Sequence, residues 1–159
     1  MVEIKTYLTF RIGLEHYAVG VEFINNIVQF TDNITKFPDM PGYVLGITDM
    51  REKILPVIDL KAKFEASRTE ITRTSCILVT EFISDDERQI IGMLVDEVIE
   101  VLDIGNGNLK EPPLISKTDK NDYIIGIFNY KDDFAMILDI NKVFESRNNF
   151  KEERLSKVA

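Results

Sequence analysis

The chain has 159 residues, of which 45% are hydrophobic and 29% charged, a composition typical of one globular domain. Its net charge of -8 argues against nucleic acid and anionic lipid as partners, because both are bound mainly through Lys and Arg. A single cysteine, Cys76, excludes an intrachain disulfide and a multi-cysteine zinc site, and it suits a reducing cytosol. No apolar run reaches the ~18 residues of a membrane-spanning helix.

Strand signals dominate the chain. It contains 21 Ile and 12 Val against 5 Ala, and β-branched side chains pack well on a pleated sheet. Turn residues recur about every 8–12 positions, a spacing typical of an all-β barrel or sandwich. Short apolar runs bounded by turn residues predict nine strands: Tyr7–Ile12, Tyr17–Val21, Val44–Thr48, Ile54–Ile58, Ser75–Phe82, Ile90–Val95, Ile99–Leu102, Tyr123–Phe128 and Phe134–Leu138. Short helices are predicted at Leu60–Phe64, Asn141–Phe144 and Phe150–Lys157.

The sequence repeats itself. Tyr43–Phe64 aligns without a gap on Tyr123–Phe144, at an offset of 80 residues. Tyr17–Val28 aligns more weakly on Ile91–Leu102, at an offset of 74. Any two β hairpins resemble one another, but an ungapped match over 22 residues favours an internal duplication. Because each copy is too small to hold a core of its own, we expect the copies to share an apolar interface with a groove along their seam.

The repeat also suggests where the parts of the chain begin and end. The length of the chain favours one domain. Within the domain we expect a strand at about 5–13, a first subdomain at about 17–66 and a second at about 75–144.

Polar residues that could carry chemistry have simpler interpretations. Asp59 and Asp139 occupy equivalent places in the two copies, after a strand and before a short helix. We therefore interpret them as helix N-caps rather than as a catalytic carboxylate pair. The only histidine, His16, and the only cysteine, Cys76, have no partner nearby in sequence for metal or nucleophilic chemistry. The sequence predicts no catalytic site, no metal site and no cofactor.

Arg51 is the charged residue whose position most suggests binding. It stands at the tip between two apolar strands, beside Met50, and the matching residue of the second copy is Lys131. Protein interfaces are enriched in Arg and Met. A solvated hairpin tip is the alternative interpretation, with equal weight on the residues alone.

Several stretches, taken together in order, resemble the CheW family of bacterial chemotaxis coupling proteins. They are Tyr7–Tyr17, Phe37–Arg51, Ile54–Leu60, Gly92–Asp96 and Ile137–Ile140. The resemblance covers about residues 5–146 and implies a single domain over residues 1–146, followed by a C-terminal tail at 147–159. It implies an all-β fold of two fused SH3-like five-stranded β-barrels with short helices. It also implies a non-enzymatic adaptor that links methyl-accepting chemoreceptors to the histidine kinase CheA. Such an adaptor is cytoplasmic and is recruited to membrane receptor arrays without inserting into the membrane itself.

The resemblance further implies two sets of binding residues. The kinase-binding set comprises Ile24, Asn26, Gly46 and Arg51. The receptor-binding set comprises Ile91, Gly92, Val98 and Val101. The family's usual Asn-Leu-Arg-Gly turn appears here as Asp49-Met50-Arg51-Glu52, and Asn26 replaces the Glu that often pairs with the Arg. The alternative function is a small-molecule-binding β-barrel protein, or an enzyme, that uses the cleft between the barrels.

Overall fold

The computed structural model describes residues 3–113 and 122–144. Its strands are β1 (Ile4–Ile12), β2 (Glu15–Gly20), β3 (Ile24–Gln29), β4 (Val44–Met50), β5 (Lys53–Asp59), β6 (Cys76–Ser84), β7 (Glu87–Val95), β8 (Glu97–Gly105), β9 (Ile124–Tyr130) and β10 (Asp133–Leu138). Two short helices follow β5 and β10: α1 (Leu60–Glu65) and α2 (Ile140–Val143). The predicted helix Phe150–Lys157 and the tail at 147–159 lie outside the described residues.

All nine predicted strands are found, together with one that was not predicted. The missed strand, β3, carries the polar pair Asn25 and Asn26 at its centre, so it shows no apolar run. The weaker repeat did point to it, since that alignment places Ile24–Ile27 over the first half of β8. The predicted caps are also found: Asp59 accepts a hydrogen bond from the backbone N–H of the third residue of α1, and Asp139 does the same in α2.

The ten strands form two five-stranded sheets of equivalent topology. Sheet A has the order β8-β1-β2-β10-β9, and sheet B has the order β3-β6-β7-β5-β4. Each strand of sheet A has its counterpart in sheet B five strands away in chain order: β1 corresponds to β6, β2 to β7, β8 to β3, β9 to β4 and β10 to β5. Tyr43–Phe64 and Tyr123–Phe144 accordingly hold equivalent positions, each as a hairpin followed by a short helix. The fold is nearly all-β, with the internal duplication that the sequence predicts.

The subdomain division expected from the repeat does not coincide with the two sheets. Strand β2, from the stretch 17–66, joins sheet A, whereas β6 and β7, from 75–144, join sheet B. The exchange arises from two parallel strand pairs, each of which joins strands of different copies: β2 pairs with β10, and β7 pairs with β5. The chain therefore crosses between the sheets after β2 and again after β7. Each sheet is completed by strands of the other copy.

The largest apolar cluster contains side chains from both sheets and fills the space between them. It includes Leu8 and Phe10 of β1 with Leu78 and Met93 of sheet B. Smaller clusters lie on the other face of each sheet, inside its own barrel; Tyr7 belongs to the one in sheet A. Neighbouring residues of a strand point to opposite faces, so the central strands are buried on both sides.

The segment that follows each outer strand closes the barrel. After β3, Thr35 bridges to Ile47 of β4, and after β8, Lys110 bridges to Ile127 of β9. Each bridge joins one edge of the sheet order to the other. This closure gives each sheet its SH3-like form.

Candidate docking surfaces

The Arg51 side chain is exposed at the tip of the β4–β5 hairpin. Met50 and Lys53 form the last pair, so Arg51 and Glu52 make a two-residue turn. Their φ angles are 49° and 68°, and two positive values are the requirement of a type I′ turn. Within residues 3–113 and 122–144 the Arg51 guanidinium has no ion pair. Among the described residues, the turn therefore presents to solvent a cation that has no ion-pair contact.

In the equivalent hairpin of sheet A the cation, Lys131, contacts other side chains. Lys131 and Asp132 have the same pair of positive φ angles, but Lys131 Nζ lies 3.9 Å from Glu100 Oε2 and 5.3 Å from the centre of the Tyr130 ring. The Tyr130 hydroxyl donates to Glu100, and burial together with that hydrogen bond raises the pKa of Tyr130. His16 closes the cluster with an edge contact to the Tyr130 ring at 5.3 Å.

Gly46 is buried and has a structural role in the barrel. Its φ is 146°, and a Cβ at this position would lie 2.1 Å from the carbonyl oxygen of Thr35. Only glycine allows the backbone of β4 to approach Thr35 so closely at the point where the barrel closes. Gly46 therefore helps to close the barrel through the strand that leads to the Arg51 turn. A direct contact between Gly46 and a kinase stays a prediction.

Ile24 and Asn26 lie on β3, whereas Gly46 lies on β4 and Arg51 lies in the turn that follows it. These are the two outer strands in the order of sheet B, so the predicted kinase set is divided between its edges. The Asn26 side chain accepts a hydrogen bond from the N–H of Ile27 at 2.8 Å, which holds it against its own strand. Of the four residues, only Arg51 is both exposed and charged.

A β-bulge brings Val98 and Val101 to the same face of sheet A. Phe10 pairs with Val98 and Thr9 with Glu100, which leaves Ile99 as the extra residue of β8. Without that residue, two side chains three positions apart would point to opposite faces. Val98 packs against the inter-sheet cluster, and Val101 continues that face outward with 58% of its surface exposed.

A matching bulge in β3 does the same for Ile24 and Ile27, with Asn25 as the extra residue. Ile24 packs against the inter-sheet cluster, and Ile27 is 42% exposed. Ile27 is an exposed apolar residue that was not among the predicted sites, although the alignment at an offset of 74 residues matches Ile27 with Val101. The family resemblance places Ile24 in the kinase set, whereas in the structure Ile24 packs against the inter-sheet cluster, as Val98 does.

Ile91 and Gly92 lie inside the molecule, which corrects their expected position on an open groove. Ile91 is 2% exposed and belongs to the inter-sheet cluster. Gly92 faces the interior of the barrel formed by sheet B, where an added Cβ would lie 2.7 Å from a side-chain atom of Ile77 and 3.3 Å from one of Leu55. Both belong to β7, a central strand with sheet neighbours on each side. Val98 and Val101 remain as the accessible part of the receptor set.

Other kinds of site find little support in the described residues. These hold no group of three or more His, Cys, Asp or Glu placed to ligate a metal ion. In the same ranges, no helix has the length and apolar character needed to cross a membrane.

Comparison with known proteins agrees with the resemblance carried by the sequence. A model of the CheW-like domain matches residues 6–148. The chemotaxis protein CheW of Treponema pallidum is 26% identical over 140 residues, covering 88% of this chain and 82% of that protein. CheW of Bacillus subtilis is 25% identical over 149 residues, 92% of each. The crystal structure of the scaffolding protein TtCheW from Thermoanaerobacter tengcongensis matches with a TM-score of 0.75 at 28% identity, covering 87% of this chain and 86% of that one.

Proposed function

The chain belongs to the CheW-like domain family, and we propose that it is a non-enzymatic chemotaxis adaptor that couples methyl-accepting chemoreceptors to the histidine kinase CheA. In this proposal the regulatory domain of the kinase docks on the Arg51 hairpin, and the cytoplasmic tip of the receptor docks on Val98 and Val101. The partners recruit the adaptor to membrane receptor arrays. The observation that carries the proposal is that the two surfaces lie on different sheets: a cation without an ion pair among the described residues on sheet B, and the partly buried Val98 with the exposed Val101 on sheet A.

The kinase side rests on the contrast between the two equivalent hairpins. Both present a cation from the same type of turn, yet Lys131 contacts Glu100 and Tyr130, whereas Arg51 has no such partner in the part of the chain that the structure describes. Arg51 follows the apolar Met50 in sequence, and Arg and Met are both enriched at protein interfaces. Arg51 is therefore the residue on which kinase binding should depend most.

The receptor side rests on the bulge of β8. It adds the exposed Val101 to the apolar face that the partly buried Val98 shares with the inter-sheet cluster. An amphipathic helix recognises such a surface by laying its apolar face along it. We propose that the receptor tip supplies this helix.

The test measures both partners against the same two variants. Isothermal calorimetry is performed with the isolated kinase regulatory domain and with a soluble receptor-tip fragment. We expect Arg51→Ala to weaken kinase binding tenfold or more, since loss of a central interface Arg costs about 2 kcal/mol and each ~1.4 kcal/mol is a factor of ten. Val101→Asp should abolish receptor binding, and each variant should leave the other partner's affinity unchanged. Val101 is preferred to Val98 because a charge at Val98 would also disturb the inter-sheet cluster.

Two control variants match the test variants in exposure and place. Lys131→Ala removes the cation of the equivalent hairpin and should leave kinase binding intact. Ile125→Asp places a charge at another exposed aliphatic residue of sheet A, 55% exposed, and should leave receptor binding intact. Normal binding of both partners by Arg51→Ala and Val101→Asp would refute the proposed surfaces, and a wild-type chain that binds neither partner would refute the function.

A further inference from the structure

The turn that follows β8 lies outside both docking surfaces and carries the only Asn-Gly pair of the chain, Asn106 and Gly107. It is a single 3-10 turn, Asn106–Asn108, closed by a 3.2 Å hydrogen bond from the N–H of Leu109 to the carbonyl oxygen of Asn106. All three residues of the turn are exposed.

An Asn-Gly pair is chemically labile because the asparagine side chain can react with the backbone that follows it. The nitrogen of the next residue attacks Cγ of the carboxamide, a C–N bond forms, and the side-chain nitrogen leaves as ammonia together with the amide proton. Water then opens the succinimide ring at either of its carbonyl groups, which yields aspartate or isoaspartate. A side chain on the attacking residue hinders ring closure, and glycine has none.

Both reacting groups of this pair are accessible. Within residues 3–113 and 122–144 the Asn106 carboxamide makes no hydrogen bond. A Cβ placed on Gly107 would have no heavy atom within 4 Å, so the space beside its backbone is open. A short 3-10 turn has poor hydrogen-bond geometry and opens readily when it is exposed. The backbone can therefore reach the geometry that ring closure needs.

Two other asparagines show what this pair avoids. Asn108 lies in the same turn and is also exposed, but it precedes Leu109. Asn26 precedes Ile27, and its carboxamide oxygen accepts the N–H of that residue at 2.8 Å. Each following residue places a side chain beside the nitrogen that would attack. Ring closure is therefore favoured at Asn106 over these two positions.

We propose that Asn106 is a site of spontaneous deamidation in the folded protein, and that isoaspartate at this position loosens the closure of the sheet A barrel. The N–H of Asn106 bonds to the carbonyl oxygen of Glu3 at 2.8 Å. A few residues later, Lys110 bridges to Ile127 through hydrogen bonds of 2.8 and 2.9 Å. Isoaspartate routes the main chain through the former side chain, so it adds a backbone atom between these two anchor points.

The segment that closes the sheet B barrel carries no such pair. Its asparagine, Asn33, precedes Ile34, whose β-branched side chain packs against the apolar cluster inside that barrel. Deamidation by this route should therefore weaken the closure of sheet A and spare that of sheet B.

Incubation of the full-length chain in mildly alkaline buffer, which favours loss of the attacking amide proton, tests the site. Trypsin cleaves after Arg88 and Lys110, so Asn106 and Asn108 lie in one peptide, and tandem mass spectrometry assigns the converted residue. We expect conversion of Asn106 to a mixture of aspartate and isoaspartate while Asn108 stays intact. Methylation by protein isoaspartate methyltransferase measures the isoaspartate fraction.

Gly107→Ala is the matched variant, since the structure has room for the added Cβ. It retains Asn106 in an exposed turn, and we expect it to lose most of the conversion. Equal conversion in Gly107→Ala and wild type would exclude attack by the Gly107 nitrogen. A synthetic peptide of residues 89–110 is the reference for an unfolded site. Conversion of this peptide while Asn106 stays intact in the folded chain would show that the fold protects the site, and would overturn the proposal.

Thermal melting tests the effect on the barrel. Anion exchange separates converted from fresh protein, because deamidation adds one negative charge to a chain whose net charge is -8. We expect the isoaspartate fraction to melt at a lower temperature than fresh protein. Asn106→Asp carries the same charge without the extra backbone atom and should melt as fresh protein does. An equal decrease in both would assign the effect to charge, and normal melting of the isoaspartate fraction would refute the loosening of the barrel.

Discussion

Left-handed backbone conformations are concentrated at the hairpin tips. In the described part of the chain, three two-residue turns place non-glycine residues at positive φ: Arg51 and Glu52, Asp85 and Asp86, Lys131 and Asp132. A side chain in this region costs roughly 1–2 kcal/mol relative to glycine, because its Cβ crowds the following carbonyl. At the Arg51 turn this cost falls on the residue that we propose as the kinase contact. The departure of Glu52 from the Gly of the usual family turn is therefore a departure in backbone energy as well as in charge.

Glu52→Gly should raise the free energy of unfolding by about 1 kcal/mol, since glycine adopts φ of 68° without strain. Urea denaturation followed by circular dichroism measures the change, because the chain has no tryptophan. Glu52→Ala removes the same carboxylate but retains a Cβ, and it should stay within ~0.5 kcal/mol of wild type. Equal stabilisation by both variants would attribute the effect to charge instead of backbone strain.

At the scale of the strand, one extra residue decides which side chains face the seam. The bulges at Asn25 and Ile99 stand at equivalent places in the two copies, and each aligns a pair of aliphatic residues on the inter-sheet face. A plain alternating strand would turn one member of each pair to the opposite face. The proposed receptor surface therefore depends on a bulge more than on any single side chain.

Deletion of Ile99 should turn Val98 away from the inter-sheet cluster and cost about 1–2 kcal/mol of stability, the order expected for a partly buried Val. Ile99→Ala retains the bulge and keeps the face of Val98, so it should cost clearly less. Urea denaturation compares the stability of the two variants, and calorimetry measures their affinity for the receptor fragment. A deletion variant as stable as wild type, with receptor binding intact, would show that the bulge does not set the face of Val98.

For the molecule as a whole, the decisive feature is that the two copies exchange strands. Sheet A depends on β8, β9 and β10 from the second copy, and sheet B depends on β6 and β7 from it. The inter-sheet cluster then binds both sheets into one core. Neither half of the chain contains a complete sheet, although each contains a complete copy of the repeat.

Fragments 1–70 and 71–159 should each be unfolded alone and should form the native fold when mixed, because every sheet needs strands from both. Circular dichroism of the separate fragments and of an equimolar mixture tests this expectation. The matched control is the full chain cut between Glu70 and Ile71, which should keep the native spectrum because it retains both sheets. A fragment that gives a stable β spectrum by itself would indicate that its copy folds as an independent barrel.

The residues alone were sufficient for every property set by local pattern. Turn residues and β-branched runs located nine strands, position before a short helix identified the caps Asp59 and Asp139, and the 80-residue offset revealed the duplication. The place of Arg51 at an exposed tip followed in the same way. These properties depend on neighbours in sequence, which the chain itself displays.

Tertiary structure alone decided which copy supplies each strand to each sheet, and hence which apolar residues remain accessible. Ile91, Gly92 and Val101 all looked like candidates for one groove, but the first two are covered by the sheets and the third is not. An apolar side chain contributes equally to a core or to a docking surface, and only the packing of distant strands upon it determines which of the two it forms.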